Sequence, residues 1–577
     1  MSKGWAMKRI WKRTLLILPL VAAMGLAGAW YVASGDVVAT TKQRIAELND
    51  AKREEGITFA IAYDSLKRSA FPKVGARIVN PRIEFTDGGD GAGRPPFSFE
   101  WKREGYVDFV SDIRTLQYQI ASHGAGHTMI RADNQNFEIA SEPSDITLVL
   151  TARDRAAFNA WQALDWRDQT AVQKALQDLS GLSFTTSDVV MVEATTRAPL
   201  YSQQASSVQL VNRSTDERYD ADATIQVKGS QITKEYSDML ARFTAALQMP
   251  LAVNDEIMPF SATRAGKQNV DIDARVNLPR NTQDGIVDEG YIHVTRFTAT
   301  NDFYTLTAPF DVVISKASER RTANIKGKLQ FQLSEAGGQE MNRPGLNHSI
   351  LMALSKQAGA ASLEGEPALL QEKLALALPN VSGAGPVTLD VDIEVSTPLA
   401  AASKEAPAPQ EQEQDQRREM LTVNQLAFGH ARWGMDVKGM LVREGKNQMT
   451  VDFTVICQKC ETMTRDIYDV MAATQDVMNL LNPKREPWYM NEEMLANINN
   501  TLAEIGRKDE ATGDIVFGIG SPTPNDIRIN DKPFGQAMLK FMMVFVSPEK
   551  AKQLQAISGF NEEPVDLSVP ASPPQKP

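Results

Sequence analysis

From Ile57 onward the chain alternates apolar and polar positions. Ile57, Phe59, Ile61 and Tyr63 point one way, the period-two pattern of a half-buried strand. The pattern recurs over 75–85, 106–113, 116–120, 136–139 and 146–150, which predicts a β-meander. Helical periodicity interrupts it. Residues 156–179, with Asp154 as the cap candidate, carry Phe158, Trp161, Leu164, Val172, Leu176 and Leu179 at a spacing that makes one sticky face. A second stretch, 233–247, repeats that spacing with Tyr236, Leu240, Phe243 and Leu247. Strands resume over 270–278, 291–300, 303–314 and 324–333. In the last, Leu329, Phe331 and Leu333 alternate with Lys328, Gln330 and Gln332, so one face is wet and the sheet is expected to be antiparallel.

A helical stretch over 349–378 leads to the clearest strand, 386–396, where Val387, Leu389, Val391, Ile393 and Val395 alternate with Thr388, Asp390, Asp392 and Glu394. Three acids on an exposed strand face read as solvation and edge protection rather than a cation site. Over 400–418 Pro, Ala, Gln, Glu and Lys replace the hydrophobic pattern, which marks the expected domain boundary. Strands are predicted at 421–428, 433–443 and 449–456, with a final β region at 514–519 and 526–530. The apolar run 536–546 is too short to span a bilayer as a helix, so a buried strand or helix is expected. The Pro-rich tail, 564–577, reads as a flexible tether.

The N-terminus changes the picture. Lys3, Lys8, Arg9, Lys12 and Arg13 precede an uncharged stretch, 14–32, that is long enough to cross a membrane. The positive-inside rule orients it N-in, C-out, in the inner membrane of a bacterial-type envelope with the bulk periplasmic. A cleaved signal peptide is the rival, because Ala27, Gly28 and Ala29 follow the apolar core. Trp30 and Tyr31 suit an interfacial belt and favour the uncleaved anchor. Residues 36–55 then read as a helical stalk.

With 577 residues, 42% hydrophobic and 23% charged, the chain is an ordinary folded protein of several cores. A net charge of −11 argues against nucleic acid, or anionic headgroups, as the main partner. No feature specifies an oligomeric state.

Two cysteines, Cys457 and Cys460, close a predicted strand and open a helix with apolar Met463, Ile467, Val470, Met471, Val477, Met478 and Leu481. Strand, Cys-x-x-Cys, helix locally resembles thioredoxin-like redox proteins, in which a helix N-terminus lowers a thiol pKa. The preceding meander does not match a parallel redox sheet. A structural disulfide is the favoured reading; redox use and an unpaired or metal role stay open. His123 and His127 flank Gly124 and Gly126, a turn-like composition, and no hydrolase, metalloprotease or phosphate-loop motif occurs. No cofactor, catalytic residue or metal ligand is expected.

The phrase Ile57 to Tyr63, then Ser65-Leu66-Lys67-Arg68-Ser69-Ala70-Phe71-Pro72, then 75–85 with Asn80-Pro81, resembles the opening of exported envelope proteins of the domain of unknown function (DUF) 2125 type and the related YdgA-like (DUF945) type. Ile529-Asn530-Asp531-Lys532-Pro533-Phe534 is similar to their late asparagine-glycine-lysine-proline turn, with Asp531 in the glycine's place. A looser likeness is to AsmA-like proteins. The resemblance implies an α+β fold in which an N-terminal transmembrane helix precedes large twisted antiparallel β-sheets with packed helices.

The expected order is a basic tip (1–13), an anchor (14–32), a stalk (33–56), a β-rich body (57–399), a linker (400–418), an α+β region with the Cys pair (419–560) and a tail (561–577). The function expected is non-enzymatic. The chain is expected to bind an envelope protein or, as the AsmA-like resemblance implies, a lipid in a sheet-lined groove, or to act as a scaffold; a thiol-disulfide module at Cys457 and Cys460 is the alternative.

Overall fold

The computed structural model describes residues 32–50, 57–70, 73–88, 96–132, 135–162, 175, 178–215, 218–246, 267–281, 287, 289–317, 320–341, 385–398, 418–444, 448–481 and 491–544. The anchor, the linker, the tail and the helical stretch 349–378 lie outside them. Among the described residues no helix is long and apolar enough to cross a membrane. The described residues form two compact units, one reaching to Asp302 and the other beginning at Phe303.

In the first unit helix α1 (32–50) precedes β1 (Ile57–Ala62), β2 (Ser65–Arg68), β3 (Val74–Val79) and β4 (Arg82–Asp87). Three long strands follow, β5 (Phe97–Asp112), β6 (Gln117–Ala132) and β7 (Gln135–Ala152), and then helix α2 (Arg155–Gln162). Next come β8 (Leu179–Thr186), β9 (Val189–Glu193), β10 (Pro199–Gln203), β11 (Ser206–Asn212), β12 (Arg218–Tyr219) and β13 (Ala221–Ile232). Helix α3 (Lys234–Ala246) leads to β14 (Gln268–Asn277), β15 (Arg280–Asn281) and β16 (Gly290–Thr300).

The pairings are antiparallel. The long strands lie side by side, flanked by strands broken in two: β3 and β4 share one edge of β5, while β8 and β9 share one edge of β7. Beyond these, β11 and β10 continue to β13, β14 and β16.

The breaks align into a transverse crease. Asn80, at φ 49°, separates β3 from β4; its side chain accepts from the Gly105 N–H (2.9 Å) and donates to Asp64 (2.7 Å). Gly105 stands opposite Gly124, and Gly124 opposite Ser144, next to a bulge in β7. Ser187 then bonds Asp145, Asp188 takes the Ala205 N–H, and Asp271 takes that of Gly229, at φ 53°. Short polar side chains thus replace the ladder bonds each break removes, and glycine fits where φ is positive.

Several expectations change here. His123, Gly124, Gly126 and His127 lie inside β6, not in a turn, because the crease accommodates the glycines. Leu179 opens β8 instead of closing a helix, since it pairs with Ala152. The stalk reading of 33–56 also changes, as α1 packs on the sheet. Ser34 and Ile45 are buried, and the Asn49 amide bonds both the N–H and the carbonyl of Ile61 on edge strand β1.

The second unit contains β17 (Tyr304–Thr307), β18 (Phe310–Ala317), β19 (Arg320–Leu333), helix α4 (Glu335–Met341), β20 (Val387–Pro398), β21 (Arg418–Gly429), β22 (Gly434–Glu444) and β23 (Gln448–Gln458). Helices α5 (Cys460–Leu481) and α6 (Glu492–Ile505) follow. Then come β24 (Arg507–Lys508), β25 (Ile515–Gly520), β26 (Arg528–Ile529), β27 (Lys532–Pro533) and helix α7 (Phe534–Met543).

Strands β19, β20, β21, β22, β23 and β25 form consecutive antiparallel rows. The expected boundary at 400–418 therefore falls between two paired strands of one unit: a solvated composition marks a connection here, not a domain edge. Strand β20 is interior, so its acids do not guard an edge. Lys326 and Lys328 of β19 face Asp392 (3.1 Å) and Asp390 (3.7 Å).

Candidate functional site

The strand register places an unbroken apolar row on one face of the first unit. Ala76, Phe109, Ile120, Leu148, Phe184, Val208, Ile225, Ala274 and Val294 stand directly opposite one another across nine strands. A second row runs beside it through Tyr118, Leu150, Leu182, Leu210, Ala223, Val276 and Ile292. The opposite face is more polar: Asp108, Thr147, Thr185, Ser207, Gln226, Asp273 and Arg296, with buried Ala121 among them, form the matching row. On that face Arg77 pairs with Asp108 through two 2.7 Å bonds, which raise the guanidinium pKa. His123 meets Asp145 (2.8 Å) and His127 meets Glu138 (2.6 Å).

Among the described residues, helices cover the apolar face at two places. Phe158 and Trp161 of α2 stack on Tyr118, with centroids 4.5 and 5.9 Å away. Across the crease Phe243 of α3 packs on Phe137 (5.5 Å) and Phe97 (6.5 Å). Between these packed ends Phe109, Ile120 and Phe184 each remain 37% exposed. Isolated exposed apolar residues are ordinary; adjacent ones on one sheet face form a binding surface candidate. The nine strands span about 38 Å at the usual interstrand spacing.

In the second unit, Cys457 belongs to an apolar sheet row. Leu329, Leu389, Phe428, Met435, Cys457 and Ile515 form one cross-strand row. Cys457 is the penultimate residue of β23, Cys460 begins α5, and the two are joined in a disulfide. Lys459 between them adopts φ 50°, its N–H donating to Asp514 (3.1 Å). The pair is packed against Ile515, Met463, Leu502, Ala503 and Phe517, with Cys457 3% and Cys460 1% exposed. Thiol exchange requires in-line access to a sulfur, and here both sulfurs lie under α5 and α6.

No protein-family model matches the chain, and no curated protein matches it in sequence.

Six residues along α5 from Cys460, Asp466 is fully buried. It accepts from the Trp433 indole N–H (3.2 Å) and pairs with Arg432 (3.0 Å), clamping the β21–β22 turn onto the helix. His430 lies against Trp433, ring centroids 5.0 Å apart and tilted, in the same corner. Sequence reading did not bring these residues together, because the contacts join segments more than thirty positions apart. Burial pushes the neighbouring Asp469 carboxyl above its usual range, reinforced by the charge of Asp466. Among the described residues no group of three or more His, Cys, Asp or Glu could hold a metal.

Near the end of the chain, Asn530 (φ 44°) and Asp531 (φ 70°) make the two-residue turn between β26 and β27. Two consecutive positive φ values fit a type I′ hairpin. Asp531 therefore adopts the conformation for which glycine was expected. Asn530 also accepts from the Gly518 N–H (2.8 Å) and donates to the Ile505 carbonyl (2.9 Å), fixing the hairpin to α6 and β25.

Proposed function

We propose that this chain is a non-enzymatic, membrane-anchored envelope protein that binds acyl chains of lipid along the apolar face of its first sheet. The observation that carries the reading is the row from Ala76 to Val294, apolar at all nine positions, with Phe109, Ile120 and Phe184 each 37% exposed. A lipid tail needs a continuous apolar lane without buried unsatisfied polar groups. A side-chain-lined sheet face offers this, since its backbone polar groups are already paired within the ladder. The lane exceeds the roughly 15 Å that one leaflet contributes to a ~30 Å hydrocarbon core. In this reading residues 14–32 anchor the chain N-in, C-out, and the sheet works on the periplasmic side. Cys457 and Cys460 serve as a structural staple, a role their burial favours over redox exchange.

The test is mass spectrometry of lipid extracted from the natively purified full chain, repeated with Phe184→Asp. Stoichiometric lipid in the wild type and its loss in the variant, with circular dichroism unchanged, are the expected results. A lipid-free wild type that also takes up no added oleate would overturn the reading.

A further inference from the structure

Arg103 interrupts the apolar face. It lies on the same side of β5 as Trp101, Val107 and Phe109, because the β5–β6 register is unbroken and side chains alternate. The residue is only 4% exposed. Its Nη2 donates to the Ser144 carbonyl (2.5 Å) and to the Ser144 hydroxyl (3.3 Å), while its Nε is buried with no hydrogen-bond partner. Among the described residues no carboxylate pairs with it. Asp145, the acid whose charge reaches it, is on the polar face and is held by His123 at 2.8 Å.

The surroundings are small. Gly126 stands opposite Arg103, where a Cβ would lie 2.6 Å from the Ser141 hydroxyl and 3.4 Å from the Arg103 guanidinium. Gly105 and Gly124 continue the bare strip along the crease. A buried cation without a counter-charge is costly, whereas guanidinium paired with a carboxylate or phosphate is among the strongest contacts available in a dry site.

Resting on the acyl-chain reading, we propose that Arg103 and the glycine strip beside it receive the anionic headgroup of a lipid whose tail lies along Phe109, Ile120 and Phe184. The net charge of the chain opposes adsorption to an anionic bilayer. One buried arginine instead reads one headgroup at a time, where solvent does not screen it.

The experiment titrates the full chain with oleate, oleoyl-lysophosphatidylglycerol and uncharged oleyl alcohol, each below its aggregation limit. The wild type should bind at least one of the two anionic probes tenfold or more tightly than the alcohol; oleate alone identifies a carboxylate, the lysophospholipid alone a phosphate. Arg103→Gln should abolish that preference while leaving alcohol binding within about twofold, and Arg103→Lys should keep part of it. Equal wild-type affinity for all three probes overturns the headgroup site but leaves the acyl-chain surface standing. Binding of none overturns both. The wild-type comparison decides the matter even if Arg103→Gln does not fold.

Discussion

Gly105 and Gly124 face each other across β5 and β6, and neither position has room for a side chain. A Cβ on Gly105 would collide with the His123 carbonyl oxygen, and one on Gly124 with the Glu104 carbonyl oxygen. Both also hold positive φ, 149° and 116°. Gly124→Ala therefore combines backbone strain with a clash against a paired strand, and should cost about 3 kcal/mol. Urea unfolding should show a lower midpoint at unchanged slope. A loss below about 0.5 kcal/mol would mean that the crease is compliant rather than locked.

How much of this was legible in sequence follows from what each pattern reports. The strand 387–398 was plain because its apolar positions recur without interruption. The crease was not, because a break in one strand looks like a turn until its neighbours break at the same level. His123-Gly-Ala-Gly-His127 is such a case: its glycines suggest a turn, yet β5 and β7 hold it in the ladder. Strands β8 to β11 escaped notice because they are short and half-buried, without a strong alternation over their length. The two cysteines were found by spacing, but Arg103 carried no local signal. Its isolation depends on which residues stand opposite it.

The disulfide closes a very short loop, so its effect on the unfolded chain is modest, about 2 kcal/mol by loop-closure entropy. Replacing Cys457 and Cys460 together with Ala should lower stability by that order and leave oleate binding unchanged. In the reduced wild type, thiol-specific reagents should modify the cysteines only as the protein unfolds, because both are almost fully buried. Rapid modification of the native reduced form would favour redox use.

Asp466 presents a larger penalty. It is 0% exposed, and Arg432 and Trp433 are the groups that meet its charge. Arg432→Met leaves a buried carboxylate without its cation, at a cost of about 3 kcal/mol. Adding Asp466→Asn should restore much of the loss, because the remaining amide needs no counter-charge. A double-variant cycle on unfolding free energies checks this; additive losses would show that the pair is not coupled.

Helix α7 is tied down by charge and should release in acid. Glu504 on α6 bonds Lys540 of α7 and lies 3.7 Å from Lys532. The Lys540 hydrogen bond holds its carboxyl below the usual range, with both lysine charges adding to the effect. A depressed folded-state pKa means that the native state resists protonation more than the unfolded chain does. This contribution is full above the unfolded value, about 4.3, and fades as pH falls through the lower folded value. Solvent screening keeps it modest, since the Glu504 side chain is 51% exposed. Glu504→Gln should therefore melt below the wild type by a constant margin at pH 5 to 7, with the margin closing below about pH 4.3. An unchanged margin at pH 3 would show that α7 is held by the packing of Ala537 and Phe541 against Ile505 and Ile529 rather than by the carboxylate.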